Sequence, residues 1–199
     1  MKNQKNKNII LLCGHGSKSK QHSINLRKIK KKIEEKINIK VFTSFLEVNK
    51  PSLEDCLLKY PKKYDRVFIF PFLIFEGNHF KKDVKKLVQK YNEFKNVVLI
   101  DKLSLLNEIL PETTKILKKK INKEENTILV TSSSYSKDKS VLLDLQKYTR
   151  LLSKELNVSE SFFHYVGGET NVVEKLKRLK NDKLSILLHP IFLFQGFLY

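Results

Sequence analysis

Short apolar runs alternate along this chain with longer stretches in which apolar residues recur every three or four positions. Residues 9–13 (IILLC), 40–46 (KVFTSFL), 67–80 (VFIFPFLIFEGNHF) and 97–100 (VVLI) have the length and composition of strands. Between them, Leu26, Ile29, Ile33 and Ile37 lie on one helical face, and Pro51 and Ser52 open a second helix through Leu57 and Leu58. Glu54 and Asp55 fall in its first turn, where the helix dipole favours acids. Val84, Leu87, Val88 and Tyr91 mark a third helix, with Asn78 or His79 placed to cap it. The 67–80 run is too short to span a membrane and reads as a strand buried on both faces, with His79 just past its carboxyl end.

The alternation then repeats. A connecting helix or helix pair over 103–121, interrupted by Pro111, precedes strands at 127–131, 161–166 and 184–188 and a Ser-rich turn at 132–134. Val141, Leu142, Leu145, Tyr148, Leu151 and Leu152 share one helical face, and 170–179 is a further helix. HPIFLFQGFLY set under FPFLIFEGNHF, an offset of 119 residues, matches Pro190 to Pro71, Phe194 to Phe75 and Gly196 to Gly77. The chain reads as an internal duplication. Strands alternating with helices of this length imply parallel pairing and right-handed crossovers. The expected class is α/β, with two tandem lobes, each a parallel four-stranded sheet with flanking helices. They span residues 1–102 and 127–199, joined by a connecting helix over 103–126. The second lobe reaches Tyr199 without the helix that should follow its third strand, so its sheet is expected to be incomplete and less covered.

With 39 Lys and Arg against 21 Asp and Glu, the net charge is +18, a balance that attracts polyanions. Yet only Arg27, Arg66, Arg150 and Arg178 are arginines, and specific reading of phosphates and bases favours the guanidinium fork. Lysine spread evenly among many asparagines reads as a coding bias that serves solubility. No nucleic-acid partner is expected, and an anionic small-molecule substrate stays open. The start MKNQKNKN lacks the apolar core of a secretory signal and no stretch approaches ~20 apolar residues, so a cytoplasmic chain without a membrane partner is expected. Cys13, within a predicted strand, and Cys56, on a predicted helix, do not form a disulfide framework or a paired-cysteine zinc site.

Three polar side chains stand at the ends of the first three predicted strands: His15 in Gly14-His15-Gly16-Ser17, then Glu47, then His79, at spacings of 32 residues. Open α/β sheets bind ligands beyond those ends. Two imidazoles and a carboxylate suit a borderline divalent ion such as Fe²⁺, Co²⁺, Ni²⁺ or Zn²⁺, and they leave the coordination positions that a reactive site needs. Each residue also has an ordinary role open to it: His15 as a hydrogen-bonded turn residue, His79 as a helix cap, Glu47 as a solvated loop acid. Their occurrence at equivalent strand ends is the argument for a site. A dinucleotide site fails on spacing, because Ser19 replaces the third glycine of the fingerprint and the acid follows Gly14 by 33 residues rather than ~20. The second copy does not repeat the set: Leu198 falls opposite His79, Val166 opposite Glu47, and Ser133 or Ser134 opposite His15.

LLCGHGSKSK at 11–20, SFLEVNKPSLED at 44–55 and PFLIFEGNHFKKDV at 71–84 resemble the class II sirohydrochlorin chelatases of the CbiX and SirB type. The resemblance implies two chelatase-like lobes and a lyase-type chelatase. Such an enzyme inserts Co²⁺ or Fe²⁺ into sirohydrochlorin, for cobalamin or sirohaem, without ATP and without a cofactor beyond the substrate metal. It places the metal-handling and catalytic roles on His15, Glu47 and His79. Ser17, Phe72, Phe75, Gly77, Asn78 and Phe80 become candidate substrate contacts, although core packing is the use to expect first of Phe72 and Phe75. Lys18, Lys20 and Lys81 suit the carboxylates of the macrocycle. A metal-binding carrier without tetrapyrrole chemistry is the alternative to test.

Overall fold

A computed structural model describes residues 7–75, 79–122, 126–166, 172–179 and 184–194. The chain divides into two units, one running to Leu103 and including Phe194, the other running from Ser104 to Leu193.

In the first unit β1 (Asn8–Gly14), β2 (Lys40–Phe45), β3 (Arg66–Pro71) and β4 (Val97–Leu99) form one parallel sheet in the order β2-β1-β3-β4. β1 is central and buried on both faces, which is why it reads as a continuous apolar run. On one side Ile9, Leu11 and Cys13 pack with Val67 and Ile69 under α2 (Leu53–Lys59) and α3 (Lys86–Lys90). On the other, Leu12, Val41 and Phe45 meet Leu26, Ile29 and Ile33 of α1 (Lys20–Ile37). α2 starts in a reciprocal cap, in which Ser52 Oγ accepts from the Asp55 amide and the Asp55 carboxylate accepts from the Ser52 amide. Those bonds, with Lys50 beside them, hold the Asp55 carboxyl down at about 2. Burial pushes the Cys13 thiol up to about 12 and the Cys56 thiol up to about 11, so neither forms a thiolate near neutral pH.

The strand expected over 67–80 ends at Pro71. The apolar composition continues, but the register with β1 ends at Cys13 opposite Pro71, the Phe72 amide making the last bond, and Leu73 to Phe75 belong to no strand. Phe72 instead packs on the α1 side and Leu73 on the α2 side. His79 therefore does not follow the strand directly. It opens a π-helical segment, His79–Lys85, that leads into α3.

The second unit has β5 (Asn126–Ser134), β6 (Glu160–Val166) and β7 (Leu184–Pro190) in a parallel sheet of order β6-β5-β7. The arrangement of β2, β1 and β3 recurs, so the two tandem α/β lobes are present, the second with three described strands. α1 and α5 (Lys139–Leu156) are both 18 residues long, and each ends on an asparagine at φ 54°, Asn38 and Asn157. The Phe72 amide donates to the Cys13 carbonyl, and Ile191 donates likewise to Ser132. Each of these pairs, like Leu53 and Val172 at the starts of α2 and α6 (Val172–Arg178), keeps the 119-residue offset.

Two details differ from the sequence reading. Ser132 to Ser134 form no turn but lie in β5, because β6 runs on to Val166 and pairs with all three, and β7 reaches Ser132 with Pro190. In β6 the offset becomes 120, since Ser132 pairs with His164 as Cys13 pairs with Ser44, and Val166 thus matches Leu46 rather than Glu47. The 103–126 stretch contributes a π-helical segment, Leu105–Ile109, and α4 (Leu110–Leu117), both within the second unit. Ile186 and Leu188 of β7 are 50% and 62% exposed, whereas their counterparts Val67 and Ile69 are fully buried. The second sheet is the less covered one.

His189 is the next-to-last residue of β7, where the first unit has Phe70. Its Nε2 lies 2.9 Å from the hydroxyl of fully buried Tyr148. Burial pushes its pKa down from 6.5 to about 4. The folded state therefore binds this proton later than the unfolded chain, and stability falls as pH drops from 6.5 towards 4. Between pH 7 and 4.5 the wild type should lose about 2–3 kcal/mol more than His189→Phe, compared by urea unfolding at the two pH values.

Candidate metal site at the carboxyl end of the first sheet

Beyond the last paired residues of β1 and β2, Gly14 and Phe45, the two chains stay bonded. The Leu46 amide donates to the Gly14 carbonyl at 3.0 Å and the Glu47 amide to the His15 carbonyl at 2.9 Å. His15 and Glu47 are thereby main-chain neighbours. Gly16, at φ 100°, makes the approach possible: a Cβ there would collide with the Glu47 carbonyl oxygen. The Ser17 amide adds a third tie, donating to Asn49 Oδ1 at 2.7 Å.

The half-buried His15 ring has Nδ1 3.1 Å from the Gly16 carbonyl oxygen. A carbonyl only accepts, so Nδ1 carries the proton of this bond, and in the neutral ring Nε2 bears the lone pair that a metal requires. Glu47 is exposed. His79 lies in the same unit at the start of its π-helical segment, and its imidazole lies outside the described residues. The structure thus makes main-chain neighbours of two of the three predicted residues, His15 and Glu47. Among the described residues no cluster of three His, Cys, Asp or Glu is gathered for a metal.

Of the predicted substrate contacts, Ser17 Oγ accepts from the Ser19 amide at 3.1 Å at the start of α1. Half-buried Phe72 packs against Phe70 and Phe194, with centroids at 6.1 and 5.6 Å. Phe75 is half-buried, and Lys18 and Lys20 are exposed. Gly77, Asn78 and the side chains of Phe80 and Lys81 lie outside the described residues.

Sequence reasoning missed His22, which is 9% exposed in the first turn of α1. Phe194 meets its ring edge-on at 5.0 Å and Phe45 lies at 6.3 Å. Its Nδ1 has no hydrogen-bond partner among the described residues. Burial, and then the neighbouring His15, lower its pKa. The signal was present: residue 22 falls four before Leu26, on the buried stripe of the helix.

The sequence model of the CbiX family matches residues 9–122, more than half of the chain. The chain belongs to the CbiX family. This is the class II chelatase family that the stretches around His15, Glu47 and His79 resemble. Two solved structures share the fold over 96% of the chain. One is SirB from Bacillus subtilis with Fe³⁺, at TM-score 0.78 and 22% identity over 79% of that protein. The other is the sirohydrochlorin chelatase SirB from Bacillus subtilis subspecies spizizenii in complex with cobalt, at TM-score 0.71 and 18% identity over 77% of that protein. No curated protein sequence matches the chain. No described helix is long and apolar enough to cross a membrane.

The two glycines of the turn should respond differently to a methyl group. At Gly14 it would meet the flexible end of Leu26 at 3.0 Å; at Gly16 it would meet the Glu47 backbone and a positive φ. Gly16→Ala should cost about 1–3 kcal/mol more than Gly14→Ala, measured by denaturant unfolding of the two variants.

Proposed function

We propose that the chain is an ATP-independent sirohydrochlorin chelatase that inserts Co²⁺ or Fe²⁺ into the macrocycle. The observation that carries this reading is the main-chain pairing of His15 with Glu47 at the carboxyl end of the sheet, in a chain of the CbiX family. SirB, whose fold it shares, is described with iron and with cobalt.

Insertion requires stripping water from a divalent ion and removing two protons from pyrrole nitrogens. His15, through Nε2, and His79 would hold the incoming ion while neutral, with Glu47 offsetting its charge or passing a proton outward. An imidazole released from the metal is then a base of suitable strength for a pyrrole proton. Phe72, with Phe194 against it, offers an apolar surface to the ring system, and Lys18 and Lys20 attract its carboxylates. The same reading takes the site of action to be the cytoplasm, with no cofactor beyond the metal and no membrane or nucleic-acid partner.

Mixing the protein with metal-free sirohydrochlorin and either ion, and following absorbance, should show insertion faster than the metal-only control. No acceleration with either ion would overturn the reading. A spectral shift on adding the macrocycle alone separates a chelatase from a metal carrier, which would give none. His79→Ala should lower the insertion rate at least about tenfold while leaving the thermal midpoint near that of the wild type. A variant that unfolds, with its remaining folded fraction fully active, would assign His79 to structure instead.

A further inference from the structure

The ladder between β1 and β2 has two main-chain rungs past its ends, and after Glu47 the chains part, one towards α1 and the other towards α2. The third tie is a side chain: Asn49 Oδ1 reaches back to the Ser17 amide. It does so through an unusual turn. The Asn49 amide donates to the Glu47 carbonyl at 2.6 Å, and Val48 between them lies at φ 61°. A two-residue hydrogen bond around a positive φ marks a γ-turn of the strained kind, rare for any residue and rarer for a β-branched one. Val48 is 62% exposed, so no burial of its side chain compensates. Such conformations persist where the surroundings over-determine them, and they concentrate at functional sites. Here the surroundings are the Glu47–His15 rung on one side and the Asn49–Ser17 bond on the other.

Glu47 is thus held from both directions although its side chain is exposed. We propose that Asn49 is a positioning residue: its carboxamide locks the loop of Glu47 to the loop of His15, so that the two donors keep one spacing. Asn49 touches neither metal nor macrocycle in this assignment. The inference rests on the reading of His15 and Glu47 as metal-handling residues.

Co²⁺ titration followed by absorbance, on the wild type, Asn49→Ala and Asn49→Asp, tests it, with thermal midpoints of the metal-free proteins in parallel. Asn49→Ala should weaken Co²⁺ binding about tenfold, and Asn49→Asp, which keeps an acceptor oxygen at the same reach, should return it to within about threefold of the wild type. If Asn49→Ala does not fold, Asn49→Ser, polar but too short to reach the Ser17 amide, takes its place with the same thresholds. A wild type that binds Co²⁺ beside an Asn49→Ala that binds equally well overturns this inference alone. So does an Asn49→Asp no better than Asn49→Ala, which would reduce Asn49 to loop packing. A wild type that does not bind Co²⁺ overturns the site itself, and the inference with it.

Discussion

The structure of the first unit depends on two strands that keep bonding after their ladder ends. Because Leu46 donates to Gly14 and Glu47 to His15, the backbones that carry an imidazole and a carboxylate are fixed to one another by main-chain bonds. The bonds require two backbones to come closer than a Cβ allows, and Gly16 supplies the missing atom's space. The apolar packing beneath them makes the arrangement rigid: β1 is held from both faces, by α1 on one and by α2 and α3 on the other. Sites built on such strand ends are more sharply defined than sites on free loops.

The strands and helices of the first unit were legible because parallel strands buried on both faces leave an uninterrupted apolar signature. Where they end was less so, because a strand stops when its partners stop. Leu73 to Phe75 stay apolar outside any strand, and the serines after Thr131 stay paired although they are polar. Composition reports burial, and burial alone does not distinguish a ladder from a packed loop. For the site, His15 and Glu47 could be read from their places after strands, and His22 could have been read from its helical face. Asn49 could not, since its role arises from a turn at Val48 for which the sequence has no local signal.

The two units show what duplication preserves and what it releases. The helix lengths, the asparagine caps at Asn38 and Asn157 and the bond that follows each third strand have kept their spacing. The Ser19 amide donates to Ser17 Oγ, and the Asp138 amide donates in the same way to Ser136 Oγ. What changed are two residues of the turn itself. Tyr135 stands in the place of Gly16, more than half exposed and edge-on to Tyr165, and Ser134 stands in the place of His15. The frame was retained, and the glycine and the imidazole at this place in it were not.

The two thiols of the chain lie within the core of the first unit, Cys13 fully buried and Cys56 nearly so, both with their protons firmly attached. On the proposed reading, an ion arriving at the strand ends meets imidazole and carboxylate, while both thiols stay in the core beneath. Soft ions such as Cu⁺ and Cd²⁺ then lose the thiolate they prefer, whereas Fe²⁺ and Co²⁺ keep donors that suit them. A bias of that sort needs no gate or filter; it follows from where the polypeptide keeps its thiols.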